Sequence, residues 1–108
     1  MLFRANHISA LVSGDYYQAL FEADEEADDP GSPYLLIQRQ FEMPDGGECY
    51  IETHDANYIG HFLLRRVEFT SEKLSVQIDR PGDNRIDVTF KMASRDFKKA
   101  LRVVKIIC

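Results

Sequence analysis

The chain has 108 residues, 44% of them hydrophobic, with seven phenylalanines and five tyrosines but no tryptophan, enough apolar matter for one core and too little length for a second domain. A net charge of −5 argues against a general nucleic-acid binder, which is normally basic. The longest apolar runs are three or four residues, far short of the roughly 20 that a membrane-crossing helix requires.

Charge is spread unevenly. Residues 1–60 carry 12 acids against 2 bases, residues 61–90 balance at five each, and residues 91–108 carry 6 bases against 1 acid. Such an asymmetry concerns partners and steering in a field more than it concerns fold. The opening run Met1 to His7 turns polar by the fourth residue and lacks the apolar stretch of a secretory signal, so a cytoplasmic location is expected. With only Cys49 and Cys108, no disulfide framework is implied, and Cys49 reads as a small, reduced core residue.

In chain order, Phe3 to Val12 is strand-compatible, Ser13-Gly14-Asp15 supplies a turn, and Tyr16 to Ala23 alternates Tyr17, Ala19 and Phe21 against Tyr16, Gln18 and Leu20, which predicts a hairpin. Residues 24–33, acid-rich and closed by Pro30-Gly31-Ser32-Pro33, read as an exposed loop. Tyr34 to Phe41 begins apolar on both faces and ends alternating, as a central strand does when it emerges toward solvent. After the turn at Pro44-Asp45-Gly46-Gly47, residues 48–54 place Cys49, Ile51 and Thr53 on one face and Glu48, Tyr50, Glu52 and His54 on the other.

Asp55-Ala56-Asn57 breaks the pattern, Tyr58 to Phe69 is a further strand, and Lys73 to Asp79 turns Leu74, Val76 and Ile78 inward. A turn at residues 80–84 leads to Arg85–Met92, where Ile86, Val88, Phe90 and Met92 share a face. The period then changes: Phe97, Ala100, Leu101 and Val104 fall at i, i+3, i+4 and i+7, the stripe of an amphipathic helix of about 12 residues. Ser94 is placed to cap it, Asp96 suits its first turn, and Arg95, Lys98, Lys99, Arg102 and Lys105 form its wet face. The expected fold is α+β over residues 1–108: a mainly antiparallel sheet of six or seven strands, with the C-terminal helix packed on one face.

Chemistry-bearing residues are sparse. Glu52, His54, Asp55 and His61 form the one cluster that resembles an acid–base or metal site, yet they lack the helical His pairs or Cys-x-x-Cys units of closed zinc sites. Surface or strand-edge histidines are the simpler reading, and neither a metal nor another cofactor is expected. No serine or cysteine sits in a Gly-x-Ser-x-Gly elbow, the scattered glycines form no phosphate loop, and Cys108 has only exposure to make it reactive. The acid-rich run, with Asp24, Glu25, Glu26, Asp28 and Asp29, reads either as a solvated loop or as an electrostatic guide toward a basic partner.

In Tyr34-Leu35-Leu36-Ile37-Gln38-Arg39, Tyr50-Ile51-Glu52, Tyr58-Ile59-Gly60 and the alternating Val67 to Ile78, the chain resembles immunity protein family ten of bacterial polymorphic-toxin systems. Where that pattern carries a second glycine, this chain has His61. The resemblance implies a cytoplasmic, non-enzymatic protein that binds and blocks a cognate toxin, such as a basic nuclease, with no nucleic acid or membrane as partner. Contact would fall on the five acids just named or on the sheet face around Tyr50 and Glu52. Two other readings stand beside it: a small ligand-binding or enzymatic domain using Tyr50, Glu52, His54 and His61, favoured by a deep polar pocket there, and an assembly subunit, favoured by a broad exposed apolar patch.

Overall fold

Every period-2 segment of the sequence becomes a strand, and two of those segments bend. The computed structural model describes residues 1–23, 31–41, 46–91 and 94–107. Its elements are β1 Leu2–Arg4, β2 His7–Ser13, β3 Tyr16–Glu22, β4 Tyr34–Gln40, β5 Cys49–Thr53, a 3-10 turn Ala56–Tyr58, β6 Gly60–Phe62, β7 Leu64–Phe69, β8 Lys73–Ile78, β9 Arg85–Thr89 and α1 Ser94–Ile107. They form a four-stranded sheet, β1-β9-β8-β7, and a five-stranded sheet, β2-β3-β4-β5-β6, antiparallel throughout except for β1 with β9. The class is α+β as expected, with nine strands among the described residues instead of six or seven.

The difference in number has a local cause. In the segment from Phe3 to Val12, the Ala5 amide donates to Thr89 of β9 (2.8 Å), but the next amide, that of Asn6, donates to Glu22 of β3 (2.9 Å). One peptide step thus carries the chain from one sheet to the other. In the segment from Tyr58 to Phe69, Phe62 pairs with Cys49 of β5 while Leu64 pairs with Ile78 of β8, and the Leu63 carbonyl between them accepts from the Asp79 amide. Both edges of one sheet therefore continue into edges of the other, and the two layers are joined at two corners. Gly60, opening β6 at φ 148°, fits there because a Cβ would meet the Phe62 ring at 3.3 Å in a backbone conformation side chains rarely adopt.

The hairpin of β2 and β3 follows from its two-residue loop, with Gly14 at φ 59° where such turns need a left-handed residue. Between the sheets lie Phe21, Leu35, Ile37 and Ile51 from one and Leu74, Val76, Ile78, Ile86 and Val88 from the other, all fully buried. The Phe21 ring reaches across to Phe69 (5.9 Å between centroids) and Phe90 (6.1 Å). At the two-sheet rim, Arg80 stacks over Tyr58 and Phe62 and donates to the Asn57 carbonyl (2.8 Å), tying the turn before β6 to the turn after β8.

The helix is where the periodicity puts it, with its buried stripe rotated. Ala100, Val103, Val104 and Ile107 are buried and Leu101 only partly so, whereas the pattern anticipated Phe97, Ala100, Leu101 and Val104. The side chains of Ser94, Asp96 and Phe97 lie outside the described residues, as do Met92 and Cys108. The helix packs against β2, β3 and β4. It does so on their inner face, because Arg39, which alternates inward with Leu35 and Ile37, donates from Nη1 to the Ile107 carbonyl (3.0 Å). Among the described residues no helix is long and apolar enough to cross a membrane.

Candidate interaction face

Because Cys49, Ile51 and Thr53 are buried, Tyr50 and Glu52 must project from the opposite side of β5. Strand register carries that phase across the sheet. Tyr50 faces Gln38 and His61, Glu52 faces Leu36, Gln38 faces Gln18, and Tyr34 faces Glu22. The outer face of the five-stranded sheet thus presents Tyr16, Gln18, Tyr34, Gln38, Tyr50, Glu52 and His61 around an apolar centre of Leu20 and Leu36. Among the described residues no strand or helix packs over it, since α1 and the four-stranded sheet both lie on the inner side.

These side chains hold one another. The Glu52 carboxylate accepts the Tyr34 hydroxyl on Oε2 and the Tyr50 hydroxyl on Oε1, each at 2.9 Å. The Tyr50 ring lies 5.2 Å from that of His61, and the Tyr16 hydroxyl sits between the amides of Gln18 and Gln38. Burial, reinforced by the bond to Glu52 and its charge, pushes the Tyr34 hydroxyl up to about 12. Tyr50 is raised chiefly by its bond to Glu52, and Tyr16 by burial.

The consequence is a measurable alkaline titration. Below pH 10, the ordinary tyrosine value, the folded and unfolded chains both keep the Tyr34 proton. Between there and about 12 the unfolded chain releases it and the folded one does not, so folding weakens as pH rises through that window. Absorbance titration should show late-ionising tyrosines in the wild type. Glu52→Gln should bring Tyr50 down toward its ordinary value and Tyr34 only part of the way, since its burial remains, while leaving Tyr16 in place. Unchanged curves in the variant would mean that the carboxylate does not organise the face.

The expected sites separate on this surface. Tyr50, Glu52 and His61 come together, while His54 sits at the other end of the cluster, its ring 6.4 Å from that of Tyr34. Strand β5 ends at Thr53, whose hydroxyl closes the turn by accepting the Asp55 amide (3.0 Å). His54 lies beyond, edge-on to Phe3 (5.8 Å), with Nδ1 accepting the Tyr34 amide (3.2 Å). It lies four positions from Tyr50, the partner of His61, past the end of the strand. Asp55 accepts from the Asn57 amide (3.0 Å) and caps the 3-10 turn. Among the described residues no three His, Cys, Asp or Glu side chains gather into a metal-sized group.

Asp24, Glu25, Glu26, Asp28 and Asp29 lie outside the described residues. The recess beside Tyr50, bounded by Tyr16, Gln38, Arg39, Gln40, Glu48 and His61, holds about 210 Å³, against the roughly 300–1,000 Å³ of small-ligand sites.

Tyr34, Tyr16, Gln18 and Gln38 complete the face and were not anticipated as site residues. Their signal was available in the alternation of β3 and β4, though only the register shows that they meet Tyr50 and Glu52. The opposite side of the molecule contrasts with it. On the outer face of the four-stranded sheet, Asp87 pairs with Arg85 (3.0 Å) and Lys73 (3.8 Å), and Arg66 pairs with Glu68. Burial works to raise the Asp87 carboxyl, but bonds from Ser75 and Arg85 outweigh it and hold it low. Those charges are answered within the chain. On the five-stranded sheet the strands contain one Lys or Arg, the inward Arg39, while Glu22 and Glu52 project outward. No protein-family model, curated protein or solved structure matches the chain.

Proposed function

We propose that this chain is a non-enzymatic immunity protein that neutralises a cognate protein toxin, and that it binds the toxin through the outer face of the five-stranded sheet. The observation that carries this reading is the Tyr34–Glu52–Tyr50 cluster. Tyrosine is among the side chains that most often anchor protein interfaces, and two of them are tied here to one carboxylate, which lowers the entropy lost on docking. Among the described residues, the strands of this sheet point Glu22 and Glu52 outward and turn their one Arg, Arg39, inward, so the face suits a basic partner, and the excess of acids over bases in residues 1–60 would steer such a partner toward it. The resemblance of the Tyr34–Arg39, Tyr50–Glu52 and Tyr58–Gly60 segments to toxin-immunity proteins points the same way.

The alternative, an enzymatic or small-ligand domain at the same place, has less support. The recess is small, and the His54 Nδ1 is already taken by the Tyr34 amide. An immunity protein is expected to be encoded beside its toxin, so the reading is tested by producing the product of the neighbouring reading frame with this chain. The wild type should protect the host cell from that product. Tyr50→Ala and Glu52→Lys, accumulated to the same level, should protect poorly. A harmless neighbour, or full protection by both variants, would overturn the reading.

A further inference from the structure

The two long free edges of this molecule are built differently. Strand β7 carries Arg65, Arg66 and Glu68 and shifts register between Leu64 and Arg66, devices that keep a strand edge from pairing with another chain. Strand β2, His7–Ser13, has none of them: it contains no Asp, Glu, Lys, Arg, Pro or Gly, and Leu11 and Val12 are 48% and 43% exposed. Among the described residues no strand pairs with its outer edge.

Which backbone groups face that edge follows from the hydrogen bonds of its neighbour. The Ala23 amide donates to the Pro33 carbonyl and the Phe41 amide to the Asp15 carbonyl, so the odd-numbered residues of β3 turn their polar groups toward β4. Tyr16, Gln18 and Leu20 therefore turn theirs toward β2, where they face Ser13, Leu11 and Ser9. The N–H and C=O groups of Ile8, Ala10 and Val12 are left pointing outward.

We propose that two copies of this chain associate antiparallel along β2, with Ala10 meeting its own counterpart on a two-fold axis. In this register Ile8, Ala10 and Val12 exchange backbone hydrogen bonds with Val12, Ala10 and Ile8 of the second copy. The side chains fit the same register: Ile8 lies beside Val12 on the inner side, Leu11 beside Ser9 on the outer side, and small Ala10 beside itself at the axis. A second copy is the occupant that this register favours, since β2 matches itself about Ala10. Each chain carries −5, and β2 is a seam along which two such chains meet without apposed carboxylates. The contact is isologous and closed, because pairing consumes the β2 edge of both copies. It extends the sheet in its own plane, leaves the Tyr50 and Glu52 face open, and does not depend on the function proposed for that face.

The test uses the protein alone. Light scattering at rising concentration, up to about 1 mM to reach the affinities of small interfaces, should show the mass climbing from 12.4 kDa toward twice that value. Over the same range, hydrogen exchange at the Ile8, Ala10 and Val12 amides should slow about tenfold. The Ser9 and Leu11 amides, already bonded to β3, should be protected throughout. Leu11→Lys sets like charges across the seam from an exposed position, and it should remain folded and monomeric. The proposal is overturned if the wild type stays at the monomer mass with those three amides exchanging fast, or if folded Leu11→Lys dimerises as readily as the wild type. Should the variant fail to fold, the alternating exchange pattern in the wild type decides alone.

Discussion

Val104→Asp is expected to unfold the protein, or to remove at least about 4 kcal/mol of the 5–15 kcal/mol typical of a domain. Val104 is 1% exposed in the stripe that α1 lays on the inner face of β2–β4, and an aspartate there would be a charge without water or partner. Lys98 is exposed on the same helix, and Lys98→Asp should move stability by no more than about 0.5 kcal/mol. Urea midpoints of the two variants check this. Equal small shifts would mean that the helix does not seal the core.

Phe21→Ala should be nearly as severe, costing about 3–5 kcal/mol, because the loss of a large buried ring adds a cavity to the lost transfer energy. Phe21 is fully buried on β3, and its ring meets Phe69 and Phe90, which belong to the four-stranded half of the molecule. The substitution thus opens the contact between the layers. Tyr50→Ala, on the outer face of the same sheet, should cost far less, since its loss leaves no cavity in the core. A thermal melt in which both variants fall by similar amounts would contradict the assignment of inner and outer faces.

Most of the strand pattern was legible because period-2 alternation reports burial directly. Ala19 and Phe21, Leu74, Val76 and Ile78, and Ile86 and Val88 are all buried as their spacing indicated. What the alternation could not show was where a strand leaves its sheet. Ala5, Asn6 and Leu63 have nothing unusual in side-chain type, and the corners arise from which neighbouring strand accepts each amide, a non-local choice. The helix stripe was displaced for a similar reason: Val103 and Ile107 are as apolar as Leu101, and packing against β2–β4 selected among them. For the candidate face, one strand sufficed to place Tyr50 and Glu52 together. Tyr34, which shares the Glu52 carboxylate, joins them through the pairing of β4 with β5. His54, one residue past the end of β5, meets both Tyr34 and Phe3, contacts that the alternation of a single strand could not show.

The central claim is that the Tyr34–Glu52–Tyr50 face is where a toxin docks, and calorimetric titration with the product of the neighbouring reading frame tests it most directly. The wild-type chain should bind that product with one-to-one stoichiometry per toxin site. Tyr50→Ala and Glu52→Lys should each weaken binding by at least about 30-fold, the roughly 2 kcal/mol that marks an interface hot spot. Arg66→Ala, on the outer face of the other sheet, should bind as the wild type does. If the wild type gives no binding, or if the two face variants bind as tightly as it does while Arg66→Ala does not, the face is not the docking surface and the account is wrong.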